Sequence, residues 1–154
     1  MTSSRKTNMQ KPQPENEPLL FREQLSLLLE CLPIIPFVCD AKDPFRILFI
    51  NPAIQTIAGY SPETVTGNPD FWKTHIHPED QPRALEKLPE YCNECDSPLE
   101  YRFRIADGSY KWFTDRRRML DSVYGGRYII GSWQDITQEK QLQIESEYRL
   151  QQVI

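Results

Sequence analysis

From Leu19 to Leu32 the apolar residues recur at helical spacing. Phe21, Leu25, Leu28 and Leu32 fall on one face of a helix, and Leu27 and Leu29 widen the stripe. Pro33 stops it. Two short apolar runs follow, Phe37 to Cys39 and Arg46 to Ile50, which read as strands joined by a turn at Asp43-Pro44. Asn51-Pro52 then opens a helix whose apolar side is Ile54, Ile57 and Ala58 and whose stop is Gly59. Ser61-Pro62-Glu63 starts one short helical turn. A further helix is predicted from near Pro78, carrying Ala84, Leu85 and Leu88, with Pro89 ending or kinking it.

The period then changes to two. Leu99, Tyr101, Phe103 and Ile105 alternate with Glu100, Arg102 and Arg104, the pattern of a half-buried strand. Asp107-Gly108 is a hairpin signal. As a two-residue turn it sets Phe103 opposite Trp112, so Tyr101, Phe103, Tyr110 and Trp112 share one face. Phe113 and Met119 then point to the other, together with Ile129 and Trp133. Strict alternation through Arg116 and Arg118 would bury charge, so a bulge, twist or exposed strand end is expected there. A last strand, Arg127 to Ile136, follows the turn at Gly125-Gly126. From Gln138 to Ile154 the chain reads as a polar helix with Leu142, Ile144, Leu150 and Ile154 interspersed.

The pattern divides the chain into a disordered tail (1–18), an amphipathic helix (19–33), a globular α+β domain (34–137) and a C-terminal helix (138–154). The tail is polar and proline-containing, with little apolar surface to bury. The C-terminal pattern breaks off without a cap, so the natural protein is expected to continue. A formal net charge of -4, from 18 basic and 22 acidic residues, argues against nucleic-acid binding. The run Arg116-Arg117-Arg118 reads as a solvated face. No apolar stretch is long enough to cross a bilayer and no signal peptide is evident, so a cytoplasmic fragment without membrane contact is expected. The four cysteines then read as reduced thiols.

Candidate chemistry is sparse. Cys92-Asn-Glu-Cys95 is a CxxC which, with His75 or His77, would make a zinc or redox site; as a single pair after a helix it reads better as free thiols. No phosphate-binding loop or catalytic triad stands out, so no catalytic residue is assigned. Asp135-Ile136-Thr137 is a strand-to-helix junction in which Thr137 would cap the helix and Asp135 would pair with a cation.

Four fragments in order carry a resemblance. They are Phe45-Arg-Ile-Leu-Phe-Ile-Asn-Pro-Ala, then Phe71-Trp-Lys-Thr-His-Ile-His-Pro-Glu-Asp, then Tyr101-Arg-Phe-Arg-Ile-Ala-Asp-Gly-Ser-Tyr-Lys-Trp, and Gly131-Ser-Trp-Gln-Asp-Ile-Thr. Together they resemble a PAS domain, the sensory module of signalling proteins, over roughly Phe37 to Thr137. The resemblance implies an α+β fold, a five-stranded antiparallel sheet with short helices on one face and flanking helices at both ends. It implies that His77-Pro78-Glu79-Asp80 is structural, opening a helix with acids in its first turn. Phe37, Ile50, Ile54, Ile57, Phe71, Trp72, Leu85, Tyr101, Phe103 and Trp112 are candidates to line a pocket between sheet and helices, the alternative being that the bulky rings among them fill the core themselves. The resemblance also implies signal coupling through Asp135, Ile136 and Thr137, and a homodimer or capping helix formed by Phe21, Leu25, Leu28 and Leu32.

The flavin-binding relatives carry a reactive cysteine where this chain reads Gly67-Asn-Pro-Asp-Phe-Trp, so flavin is not expected, and with the His-Pro-Glu-Asp stretch read as structural, haem ligation by His75 or His77 is not expected either. The reading is a non-enzymatic module that binds a small ligand or a partner and relays it to an output domain in the same chain. A histidine kinase is the preferred output. The alternatives are a diguanylate cyclase output, a ligand-free dimerisation module, or a metal or redox sensor through Cys92 and Cys95.

Overall fold

The computed structural model describes residues 17–91 and 98–153, and the chain divides into two compact units between Leu32 and Pro33. In the first unit α1 (Glu17–Cys31) is a single helix, and Phe21, Leu25, Leu28 and Leu32 are all exposed. It ends at Cys31 because the residue before a proline is pushed out of the helical region. The expected tail falls, up to residue 16, outside the described residues, as do Cys92 and Cys95.

The second unit is built on β1 (Ile34–Asp40), β2 (Ile47–Ile50), β3 (Leu99–Arg104), β4 (Tyr110–Asp121) and β5 (Arg127–Asp135). They form one antiparallel sheet in the order β2-β1-β5-β4-β3. Between β2 and β3 run α2 (Ala53–Ala58), α3 (Pro62–Gly67), α4 (Phe71–His75) and α5 (Gln81–Tyr91); α6 (Thr137–Gln152) follows β5. This is the α+β arrangement expected. Ile54, Ala58, Val65, Phe71, Trp72, Ala84 and Leu88 bring the helices down onto one sheet face, where they meet Ile35, Phe37, Tyr101, Phe103 and Trp133. That face is the core.

Local chemistry sets most boundaries. Ser61 Oγ accepts the Thr64 N–H at 3.2 Å, with Pro62 at the first helical position of α3. Gly59 ends α2 in the left-handed conformation, φ 81°, and its N–H bonds to Gln55 O. Asn51 acts one step earlier than a cap. Its Oδ1 accepts from Ala53 N at 3.0 Å, and the helix starts after Pro52. Pro89 does not end α5, which runs on to Tyr91. In the final turn it sacrifices one donor rather than a helix interior.

The β3–β4 register differs from the two-residue expectation. Ile105 N–H bonds to Ser109 O and Gly108 N–H to Ile105 O, closing a three-residue loop with Gly108 at φ 89°. Tyr101 therefore pairs with Phe113, and Arg102 with Trp112. A slip of one residue exchanges the faces of a whole strand. Phe113 thus lies in the core beside Phe103, while Tyr110 and Trp112 occupy the other face. Ile129 and Trp133, also expected on that other face, are fully buried in the core.

Alternation continues through the arginine run without a bulge. Arg116 and Arg118 are exposed, whereas Arg117 is buried, so the run is not wholly a solvated face. The charge is accommodated because Asp115, two residues earlier on the same strand face, is buried with it.

Candidate functional site

The period of two in β4 sends Asp115 and Arg117 into the middle of the aromatic core. Arg117 Nε lies 3.0 Å from Asp115 Oδ1 and its Nη2 lies 2.9 Å from Oδ2, a two-pronged ion pair with both side chains fully buried. Two further donors fix the same carboxylate. Tyr101 OH donates to Oδ2 at 2.6 Å, and Trp133 Nε1 at 3.0 Å. Trp72 Nε1, from α4, donates in turn to Tyr101 OH at 2.9 Å. The guanidinium carbon sits 4.2 Å from the Trp72 ring centre and 4.9 Å from that of Phe37, and Nη1 reaches Cys39 Sγ at 3.5 Å.

The electrostatics follow from burial. Desolvation works against the Arg117 charge, but the Asp115 carboxylate more than offsets it, and the guanidinium is held above its ordinary pKa. Burial and the neighbouring Asp115 push the Tyr101 phenol well above its ordinary value, so it remains a hydrogen-bond donor.

Most residues expected to line a pocket come together here. Phe37, Ile50, Ile54, Phe71, Trp72, Tyr101 and Phe103 belong to one buried cluster, with Ile57 and Leu85 half-buried against it. Trp112 is the exception and lies on the opposite sheet face, for the register reason given above. An open cleft of about 680 Å³ lies elsewhere, lined by Asp40, Lys42, Pro44, Met119 and Arg127 among others, none of them in the expected set.

Trp112 takes part in a second constellation, at the junction of β5 and α6. Asp135 Oδ1 accepts the backbone N–H of Thr137 at 3.0 Å and its hydroxyl at 2.6 Å. Thr137 Oγ1 in turn accepts the Trp112 N–H at 3.0 Å, and Ile136 N–H bonds to Trp112 O at 2.8 Å. The capping role expected of Thr137 is thus taken by Asp135, whose expected cation partner is present as well, Lys111. Asp135 serves the helix start, while the Thr137 hydroxyl ties that start to β4. Lys111 bridges the layers, with Nζ 3.3 Å from Asp135 Oδ2 and 2.9 Å from Ile57 O at the end of α2. Burial opposes the Asp135 charge, but the Thr137 hydrogen bonds and Lys111 outweigh it and keep the carboxyl below its usual range. Lys140, in the first turns of α6, pairs with Glu100 and lies 5.0 Å from the Trp112 ring, while Arg102 lies 5.6 Å from the same ring.

The histidines are engaged in packing. His75 Nδ1 is 2.7 Å from Phe71 O and its ring stacks on Phe71. His77 Nδ1 accepts from Glu79 N at 3.1 Å. Among the described residues no group of three His, Cys, Asp or Glu could hold a metal ion. Asp80 does not decorate the first turn of α5 as expected. Its carboxylate turns to β3, accepting Arg102 N, Nε and Nη2, each at 2.9 Å. It thereby satisfies an edge strand that would otherwise present open backbone groups.

Asp115, Arg117, Lys111 and Lys140 were not singled out from sequence. A signal for the first two exists. Opposite charges at i and i+2, between Phe113 and Met119 on the same parity, fit a buried pair once Phe113 is placed in the core.

Residues 47–132, more than half of the chain, match a family model described as the PAS fold. The chain belongs to the PAS family. No curated protein matches it. Among solved structures, the PAS domain is similar to the N-terminal domain of a diguanylate cyclase with PAS/PAC sensor from Marinobacter aquaeolei. The identity is 26%, with 70% of this chain and 98% of that chain covered and a TM-score of 0.58. It is similar in fold to a sensory box histidine kinase/response regulator from Burkholderia thailandensis (22% identity, 84% and 97% covered, TM-score 0.64). The same holds for the PAS domain of a protein from Colwellia psychrerythraea (20% identity, 77% and 98% covered, TM-score 0.62). PAS domains are sensory, non-catalytic modules, and no helix among the described residues is long and apolar enough to cross a membrane.

Proposed function

We propose that this PAS domain senses a small ligand or a protein partner and relays the event through α6 to an output domain in the same chain. The preferred output is a histidine kinase, as in two-component signalling, with a diguanylate cyclase as the alternative. The observation that carries the relay is the Asp135–Thr137 junction. Through Trp112 and Lys111 the start of α6 is bonded both to β4 and to the end of α2. Movement of the helical layer or of the sheet therefore reaches α6 without passing through solvent. The mechanism is a population shift between two arrangements of that joint. The similar solved structures, one the N-terminal domain of a diguanylate cyclase with PAS/PAC sensor and one from a sensory box histidine kinase/response regulator, support the class of output.

The reading includes a homodimer, to which the exposed stripe Phe21, Leu25, Leu28 and Leu32 on α1 would contribute. The test is output activity of the full-length protein carrying Asp135→Ala or Thr137→Val, with and without stimulus. Regulation should collapse while circular dichroism stays native. Unchanged regulation in both variants would refute the relay. A second reading, a ligand-free dimerisation module, is favoured by how fully the aromatic and charged side chains occupy the core. Native mass spectrometry separates the two, since added mass at one ligand per protomer belongs to the first alone.

A further inference from the structure

The loop 41–46 between β1 and β2 and the turn joining β4 to β5 flank the open cleft of about 680 Å³. That volume falls within the range of sites that take small molecules, roughly 300–1,000 Å³. The loop wall is held in shape by the chain itself. Asp40 N–H bonds to Arg46 O at 2.9 Å and Phe45 N–H to Lys42 O at 2.7 Å, while Lys73 of α4 pairs with Asp43 and the Phe45 ring meets Trp72 edge-on. Ala41, Pro44 and the half-buried Met119 give the cleft an apolar surface. Four charged side chains line it, Asp40, Lys42, Asp43 and Arg127. Asp43 and Arg127 are committed to partners outside the lining, Lys73 and Asp121. Asp40 and Lys42 are exposed, and among the described residues neither side chain has an ion-pair or hydrogen-bond partner. One uncommitted anion and one uncommitted cation thus share the rim of a preformed apolar cleft.

We infer that this cleft binds a zwitterionic amino acid with a large apolar side chain, its carboxylate at Lys42, its ammonium at Asp40 and its side chain against Met119 and Pro44. The inference rests on the sensory reading above and deepens it by giving the ligand a class and a place outside the aromatic core. The free charges select this class. A purely anionic ligand would set its charge beside Asp40, a purely cationic one beside Lys42, and an uncharged one would use neither. A small polar amino acid would leave the apolar surface and most of the volume unused. The site is also joined to the rest of the domain, because the Lys73–Asp43 pair and the Phe45–Trp72 contact tie its loop to α4.

The experiment titrates the unaltered full chain with phenylalanine by calorimetry, beside N-acetylphenylalanine, which lacks the ammonium, and phenylalaninamide, which lacks the carboxylate. Phenylalanine should bind saturably, one per chain, and each blocked analogue about tenfold more weakly. Lys42→Ala should weaken phenylalanine to the level of phenylalaninamide and leave phenylalaninamide itself unchanged. Asp40→Ala should do the same with respect to N-acetylphenylalanine. Both side chains are exposed and unpaired, so the two variants keep the fold, which circular dichroism checks. No saturable binding of phenylalanine, equal binding of the blocked analogues, or affinity untouched by both substitutions would each overturn the inference. Output control through Asp135 and Thr137 is read separately. Loss of control there with no binding here removes the amino acid and leaves the relay standing; binding here with intact control in both variants does the reverse.

Discussion

Asp135 and Thr137 lock the start of α6 through a single oxygen: Asp135 Oδ1 takes both the backbone N–H and the hydroxyl of Thr137, at 3.0 and 2.6 Å. That orientation turns the other side of Thr137 Oγ1 toward the Trp112 N–H at 3.0 Å. One carboxylate thus fixes a helix start and, indirectly, its attachment to the sheet.

Asp135→Ala removes two hydrogen bonds and the Lys111 pairing, and should cost about 1–2 kcal/mol in urea unfolding. The pH dependence has a definite sign. The folded carboxyl lies below its ordinary value of 3.8. Its contribution is therefore complete above the unfolded pKa and disappears as pH falls through the lower, folded one. An acid titration in which wild type and Asp135→Ala lose stability in parallel below pH 3.8 would contradict this account.

Asp80 presents a different case, an acid spent on an edge strand. Its carboxylate satisfies the Arg102 backbone N–H and the guanidinium together, and it is only 7% exposed. Asp80→Ala should cost about 2–3 kcal/mol, because it strands a backbone donor as well as a charge. Asp80→Asn, which keeps an acceptor, should cost about half that much. Equal losses for the two variants would mean that the charge alone matters and that the edge needs no acceptor.

How much of this was legible depended on the range of the interaction. Gly59 and Ser61-Pro62 act within one helical turn, and the alternation Leu99 to Phe103 within one strand, so those elements could be read directly. The β3–β4 register could not, because Asp107-Gly108 fits a two-residue and a three-residue loop equally well, and one residue decides whether Phe113 or Trp112 is inside. Arg117 was hidden for a related reason. A basic run looks solvated until Asp115 on its own strand, Trp72 from α4 and Phe37 from β1 are folded around it. The partners of Asp80 and Asp135 are likewise remote, Arg102 in one case and Lys111 in the other.

His75 gives the domain a second dependence on pH, of the same sign as that of Asp135 but beginning at a higher pH. Half-buried and stacked on Phe71, it has a pKa lowered from 6.5, chiefly by desolvation, with Arg104 adding repulsion; the Phe71 carbonyl works the other way. The folded state therefore favours neutral imidazole. Its contribution is full above pH 6.5 and declines as pH falls below that value, until the folded pKa is passed. His75→Phe keeps a ring against Phe71 and Phe103 and has nothing to protonate. Chemical denaturation at a series of pH values should show the wild type weakening below 6.5 more steeply than this variant; identical profiles would discard the assignment.

Gly131 connects the sheet to the side chains packed around Arg117. It pairs with Phe37 on one side and Arg117 on the other, at the middle of β5. An added methyl would meet Arg116 O and Phe37 Cζ at 2.6 Å each, and Arg117 Cγ at 3.1 Å. The first of these is backbone within a hydrogen-bonded strand pair and cannot move alone, so the strain must be relieved by Phe37 and Arg117 or by opening the sheet. Gly131→Ala should cost about 1–3 kcal/mol, in the range of an overpacked core. The loss should be accompanied by altered fluorescence from Trp133, which packs on Phe37 at 4.7 Å. In Arg117→Ala the methyl loses one of its three obstacles, so the two substitutions should cost less together than the sum of their separate effects. Strict additivity would show that Gly131 is required by the strands alone and that the packing of Phe37 and Arg117 does not depend on it.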